Sequence, residues 1–137
     1  SFIKKYINKF SNSPVIVQKF LKKYHKGDKR IIILNGKVQG AVLRVPKKNS
    51  IKANFHAGGN ALKTSLSLKE KMICQKIKKF LILKKLYFVG IDVIDGYLTE
   101  INITSPTGIQ EINRLNGVKI EKNIIDFAMK SLKKVFK

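Results

Sequence analysis

Sulfur and acid are scarce in this chain. Its 137 residues contain one cysteine, Cys74, three prolines and no tryptophan. A single cysteine excludes an intrachain disulfide, and with it the stapled secreted scaffolds; it fits a reducing, cytoplasmic compartment. No apolar run approaches the roughly 20 residues that a bilayer span requires. The most apolar stretch, Phe80 to Ile94, is broken by Lys84, Lys85 and Asp92, so no membrane partner is expected. No signal peptide is visible, and a first residue of Ser1 instead of Met points to a processed or partial chain. Eight acidic residues stand against 29 basic ones, a formal charge of +21.

That charge would draw polyanions. Only three of the basic residues are arginine, however (Arg30, Arg44 and Arg114). Arginine is what base-edge readers and bidentate phosphate clamps depend on. The abundance of Lys, Ile and Asn fits an AT-rich coding genome. Most of the charge therefore reads as a solvated lysine surface, not as a specific nucleic-acid face. The carboxylates are more telling. Asp92, Asp95 and Glu100 lie within nine positions of one another. A chain so poor in acid that clusters it has a local use for negative charge, and a bound cation is the simplest such use.

The apolar content of 44% is enough to bury a core in one domain or lobe. Apolar spacing at Ile3, Ile7 and Phe10 predicts a helix end before Ser11-Asn-Ser-Pro14. Val15 to Leu21 reads as a strand. Asp28 to Leu34 and Lys37 to Val45 form a hairpin around Asn35-Gly36, a pair that tolerates the positive φ of tight turns. Pro46 to Asn60 reads as a long mobile loop. Ser67 and Glu70 form a capping box. The helix after it is expected to bury Leu68, Met72, Ile73, Ile77, Phe80 and Leu81. A second hairpin runs from Tyr87 to Ile103. Two helices close the chain, one near Ile109 to Leu115 and one from about Asn123 to Phe136. Cys74 reads as a core thiol, and His25 and His56 have no partner motif.

Strand side chains alternate between faces. In the second hairpin the odd set (Tyr87, Val89, Ile91, Val93, then Tyr97, Thr99, Ile101, Ile103) reads as core. The even set (Gly90, Asp92, Glu100, Asn102) reads as polar. A two-residue loop at Asp95-Gly96 pairs Ile94 with Tyr97 and splits the apolar set, so a three-residue connection with Gly96 left-handed is expected. It brings Asp92, Glu100 and Asn102 onto one face, a hard-oxygen set suited to Mg2+. A solvated polar face on a half-exposed hairpin gives the same pattern, and spacing alone does not choose.

The run Val89-Gly-Ile-Asp-Val-Ile, followed by Leu98-Thr-Glu-Ile-Asn-Ile-Thr-Ser-Pro-Thr107, is similar to the C-terminal signature of bacterial-type glutathione synthetases, which are ATP-grasp ligases. Val17-Gln18-Lys19-Phe20-Leu21, Gly27-Asp28-Lys29-Arg30, Leu43-Arg44-Val45-Pro46, Asn54 and Ala57-Gly58-Gly59 resemble further family stretches in order and spacing. The resemblance covers roughly residues 14–130. It implies an α+β fold: the C-terminal subdomain of an ATP-grasp domain, an antiparallel sheet of hairpins packed with helices. Residues 1–137 would be the C-terminal portion of that domain. The N-terminal substrate domain and the lysine-bearing part of the ATP lid would lie outside them, leaving little ligase activity in this portion alone.

The resemblance also implies site roles. Asp92, Glu100 and Asn102 would hold Mg2+, with Mn2+ as a possible substitute. Gln18, Lys19, Phe20 and Leu21 would line the adenine pocket of ATP, with Asp28 near the nucleotide. Arg30 and Arg44 would face the transferred phosphoryl group. Lys52, Asn54, Gly58 and Gly59 would belong to a substrate loop, and Ser105, Pro106 and Thr107 would seat the glycine carboxylate. The implied reaction ligates glycine to γ-glutamylcysteine through an acyl-phosphate, giving glutathione, ADP and phosphate, in a cytoplasmic, homo-oligomeric full-length enzyme. Lys52 and Asn60 depart from the family pattern, which carries arginine at both places. Two alternatives stay open: another ATP-grasp carboxylate-amine ligase, or an inactive basic remnant with non-specific anion binding.

Overall fold

The computed structural model describes residues 2–9, 14, 16–47, 50, 53 and 59–135. Five strands, β1 (Asp28–Leu34), β2 (Lys37–Val45), β3 (Asn60–Lys63), β4 (Phe88–Ile94) and β5 (Tyr97–Asn102), form one sheet in the order β3-β2-β1-β4-β5. Every neighbouring pair is antiparallel. Helix α1 (Phe2–Lys9) comes first, and a short 3-10 helix (Lys22–Lys26) leads into β1. Helix α2 (Leu68–Leu83) packs on one face of the sheet. Helices α3 (Ile109–Asn116) and α4 (Ile120–Val135) cover the other. The fold is thus α+β, with hairpins packed between helices.

Local chemistry explains the two hairpins. Asn35 and Gly36 have φ of 47° and 71°, and Asp95 and Gly96 have 52° and 75°. Both are two-residue turns with left-handed central residues, whose twist matches that of the strands they join. The expected three-residue connection at Asp95-Gly96 is therefore incorrect: Ile94 pairs directly with Tyr97. The register is corrected one step later. Val93 pairs with Leu98 and Asp92 with Glu100, so Thr99 is a bulge residue. Its hydroxyl donates to the Asp92 carbonyl at 3.1 Å. The first hairpin does the same, with Ile33 opposite Val38, Ile32 opposite Gly40 and Gln39 passed over. An even turn plus one bulge gives the odd offset that the apolar pattern requires.

Alternation sorts the central strands into two cores. Ile31, Ile33, Ala41, Val89, Ile91 and Val93 meet Cys74 and Leu81 of α2, with Ile73 and Ile77 half-buried beside them. Ile32 and Val42 meet Ile112 of α3 and Ile120 of α4. Gly40 lies under the second cluster. A Cβ there would stand 2.5 Å from Ile112 Cγ2 and 3.2 Å from Ile120 Cδ1. Gly40→Ala is therefore expected to cost about 1–3 kcal/mol through overpacking. A urea denaturation midpoint within error of the wild type would exclude this packing.

The structure corrects four further expectations. Residues 16–21 are not a strand: Ile16 and Val17 are exposed and no ladder reaches them, and a strand needs a partner for its backbone groups. On α2 the buried positions are Glu70, Cys74 and Leu81, whereas Leu68, Met72 and Phe80 are exposed; Leu68 is 78% exposed. On edge strand β5, Tyr97 and Ile101 are exposed, as is Ile103 just beyond it, so the odd set is core only on β4. Helix α4 begins at Ile120, three residues before the expected Asn123. Its first turn is held by the Ile120 amide donating to Asn113 Oδ1 at 3.0 Å. Of the loop from Pro46 to Asn60, only residues 46, 47, 50, 53, 59 and 60 are described, and Asn60 already belongs to β3.

Candidate functional site

Register gathers charged residues of four strands into two neighbouring rungs of the ladder, together the charged row. Arg44 of β2 faces Asp28 of β1. Arg30 of β1 faces Asp92 of β4, and Asp92 faces Glu100 of β5. Residues directly opposite in an antiparallel ladder point to the same side of the sheet. This side also carries Ile32, Val42 and the α3–α4 core, so the row continues a hydrophobic floor into a polar end.

The row is an ion-pair cluster. Arg30 donates from Nε to Asp92 Oδ1 at 2.5 Å and from Nη2 to Oδ2 at 2.9 Å, the parallel fork that a guanidinium offers a carboxylate. Arg44 Nη2 donates to Asp28 Oδ2 and lies 2.8 Å from Asp92 Oδ2. Arg30, Arg44 and Asp92 are each less than 5% exposed. Two guanidinium groups and two carboxylates neutralise one another, which offsets the desolvation that burying any of them alone would cost. Glu100 adds a further negative charge on the exposed side of the row.

The environment sets the two aspartates apart. Burial raises Asp28, the neighbouring Asp92 charge raises it further, and Arg44 opposes both; its carboxyl is pushed up to about 6. Burial would raise Asp92 as well, but the Arg30 fork and the charges of Arg44 and Arg30 outweigh it and hold that carboxyl below its ordinary range. Asp92 therefore stays ionised through the mildly acidic range, while Asp28 takes up a proton at about pH 6. A raised acid binds its proton more tightly folded than unfolded, so Asp28 favours the folded state below about pH 4. That contribution is lost as pH rises to about 6. Thermal midpoints are expected to fall across this window in the wild type and to flatten in Asp28→Asn. Parallel slopes in the two proteins would contradict the assignment.

The other expected site residues divide three ways. Asn102 sits opposite Gly90, and its Oδ1 accepts the Ser105 amide at 3.3 Å. Pro106 is buried, and the Thr107 carbonyl accepts from Arg30 Nη1 at 3.2 Å. The structure thus brings Asp28, Arg30, Arg44, Asp92, Glu100, Asn102 and residues 105–107 to one end of one face. Gln18, Lys19 and Phe20 are exposed and Leu21 half-buried on the segment entering the 3-10 helix, where Phe20 and Tyr24 rings lie 5.3 Å apart. Gly59 precedes β3. Lys52, Asn54 and Gly58, with His56, lie outside the described residues.

One network was not anticipated. On the opposite face Lys29 donates from Nζ to Glu70 Oε2 at 2.7 Å and to the Ser65 carbonyl at 2.8 Å. The same Glu70 oxygen accepts the Ser67 amide at 2.7 Å, completing the capping box. Lys29, between two residues of the charged row, thereby ties the start of α2 to β1. The 41-residue separation leaves no local signal for that pair.

A match to the prokaryotic glutathione synthetase ATP-grasp domain covers residues 1–117. The chain is 49% identical over 113 residues to a glutathione synthetase of Gloeobacter violaceus, covering 82% of this chain and 35% of that protein. It is 50% identical over 112 residues to a glutathione synthetase of Synechocystis sp., with the same coverage. The chain thus spans about a third of the length of these relatives. A D-alanine–D-alanine ligase from Bacillus anthracis, complexed with ATP, shares the fold at a TM-score of 0.61 and 16% identity, over 97% of this chain and 48% of that one. Among the described residues no helix is long and apolar enough to cross a membrane. By its sequence match and its five-stranded antiparallel architecture, the chain belongs to the family of prokaryotic glutathione synthetase ATP-grasp domains.

Proposed function

We propose that the charged row binds Mg-ATP and supplies the nucleotide and glycine side of a ligase. That ligase joins glycine to γ-glutamylcysteine in the cytoplasm, giving glutathione, ADP and phosphate. The observation that carries this reading is the buried Arg30–Asp92–Arg44 cluster with Glu100 directly across from Asp92. The close relatives are glutathione synthetases, which supports the choice of substrates.

The donor chemistry fits a divalent magnesium ion. Asp92, Glu100 and Asn102 offer hard oxygens on one face, and among the described residues the amide oxygen of Asn102 accepts one hydrogen bond, from the Ser105 amide. Asp28 Oδ1 is buried and has no hydrogen-bond partner among the described residues, which leaves a further oxygen at the edge of the row. Bound there, magnesium would neutralise the charge of the nucleotide phosphates. Arg30 and Arg44 are fixed forks beside this place, suited to phosphate oxygens as they are to carboxylates. Held beside the site by Asp92 and Asp28, they would exchange carboxylate for phosphate oxygens when a phosphoryl group arrives. Ser105 and Thr107, in the loop after β5, carry hydroxyl and backbone groups within the same end of the sheet and would position the small acceptor, glycine.

The same geometry sets an order. Both Asp92 oxygens are engaged by guanidinium groups. Among the described residues no group of three or more His, Cys, Asp or Glu side chains is placed to hold a metal. Free metal is therefore a poor ligand, and phosphate oxygens must both draw the arginines and complete the roughly six-fold shell. Titrating the protein with Mn2+ and following the free-ion EPR signal should give weak binding without ATP and, once the Mn2+ that ATP holds by itself in a protein-free control is subtracted, at least about tenfold tighter binding with it. Equal affinity with and without ATP would overturn the reading.

A further inference from the structure

We propose that Gly90 and Pro106 are positioning residues for Arg30, acting through the Thr107 carbonyl. The inference rests on the proposed role of Arg30 at phosphate, but its geometry stands independently. Gly90 lies on β4 between Ile32 of β1 and Asn102 of β5. A Cβ built on it would meet Pro106 Cβ at 2.6 Å and Arg30 Cδ and Nη1 at 3.3 Å. The bare Cα is therefore occupied from two sides at once. The Pro106 ring settles onto the strand, and the Arg30 side chain crosses the same spot.

What that contact delivers is the next residue. With Pro106 buried against Gly90, the Thr107 carbonyl is carried to 3.2 Å from Arg30 Nη1. The loop is held at its start too, where the Ser105 amide donates to Asn102 Oδ1. Arg30 then has each of its three nitrogens committed: Nε and Nη2 to Asp92, Nη1 to Thr107. A fork with all three nitrogens held has one orientation, and the remaining Nη hydrogens point where that orientation sends them. One methyl group at residue 90 would push on the loop and on the guanidinium together. Gly90 and Pro106 act on the site through Arg30 and Thr107, so both are positioning residues and neither is catalytic.

With only three arginines in the chain, 15N-arginine labelling gives three Nε–Hε correlations, and that of Arg30, bonded to Asp92, is a direct reading of its placement. Gly90→Ala is expected to shift or broaden the Arg30 signal while leaving that of Arg114 in place, and to weaken Mg-ATP binding by about tenfold or more. Pro106→Gly, which introduces no clash, should loosen Thr107 and broaden the same signal; it serves if Gly90→Ala fails to fold. A folded Gly90→Ala protein with an unchanged Arg30 signal would overturn the proposal, as would a folded Pro106→Gly protein with one. If the wild-type chain binds no Mg-ATP, the reading of the site fails, and the arginine signals still decide the positioning claim.

Discussion

Asp92→Ala should lower stability by about 3–5 kcal/mol, because it removes the shared partner of two buried guanidinium groups. Arg30 loses both ends of its fork and keeps only the Thr107 carbonyl. Arg44 retains Asp28, which ionises more readily once the neighbouring Asp92 charge is gone. For a domain whose total stability is of order 5–15 kcal/mol, the variant stands near unfolding at room temperature. Asp92→Asn separates shape from charge: it keeps one acceptor oxygen and loses the negative charge, and should fall between the two. Urea denaturation followed by circular dichroism reads the series. An Asp92→Ala midpoint within about 1 kcal/mol of the wild type would show that Arg30 and Arg44 are not paired in this way.

The second large effect lies across the ladder from Asp92. Glu100 is exposed and makes no ion pair among the described residues. Truncating it removes no core packing and leaves no buried charge. Glu100→Ala should therefore keep the wild-type melting temperature, since surface changes of this kind stay within about 0.5 kcal/mol. With Glu100 as a metal ligand, the same change removes one of the two carboxylates of the Asp92–Glu100–Asn102 set, and Mg-ATP affinity should fall by more than about tenfold. Asp92 pairs with two buried arginines as well as having the proposed binding role, so loss of function in Asp92 variants alone proves little. Glu100 separates the two.

Much of the fold was legible where local rules act alone. Asn35-Gly36 and the Ser67–Glu70 capping box each specify a turn or helix start from four residues or fewer, and both stand as read. The parity of β4 and β5 demanded an odd offset, and the structure supplies one. The sequence did not disclose that it arises at Thr99 instead of in the turn, because a bulge residue looks like any other strand residue. β3 went unread: at four residues it is too short to show a period, and its partner lies across a long connection. The buried side of α2 was misread because apolar residues occur on both of its sides, while one of its buried positions is Glu70, matched to Lys29.

The arrangement of the candidate residues was less legible than that of the hairpins. Family resemblance named Asp28, Arg30, Arg44, Asp92, Glu100 and Asn102 with separate roles. The structure makes the first four a single neutral cluster, because strand register sets residues 62 positions apart face to face. Sequence spacing carries no signal for such pairs. The close approach of Pro106 to Gly90 was equally hidden, since glycine in a strand has several possible causes.

The most direct test of the account is an isothermal titration of Mg-ATP into the wild-type chain and into Glu100→Ala at matched ionic strength. The account predicts saturable binding with one site per wild-type chain, dependent on magnesium, and its loss in a Glu100→Ala protein that melts at the wild-type temperature. Equal affinity in the two proteins would contradict it. So would wild-type binding that needs no magnesium and fades with salt, the behaviour of a lysine surface collecting anions.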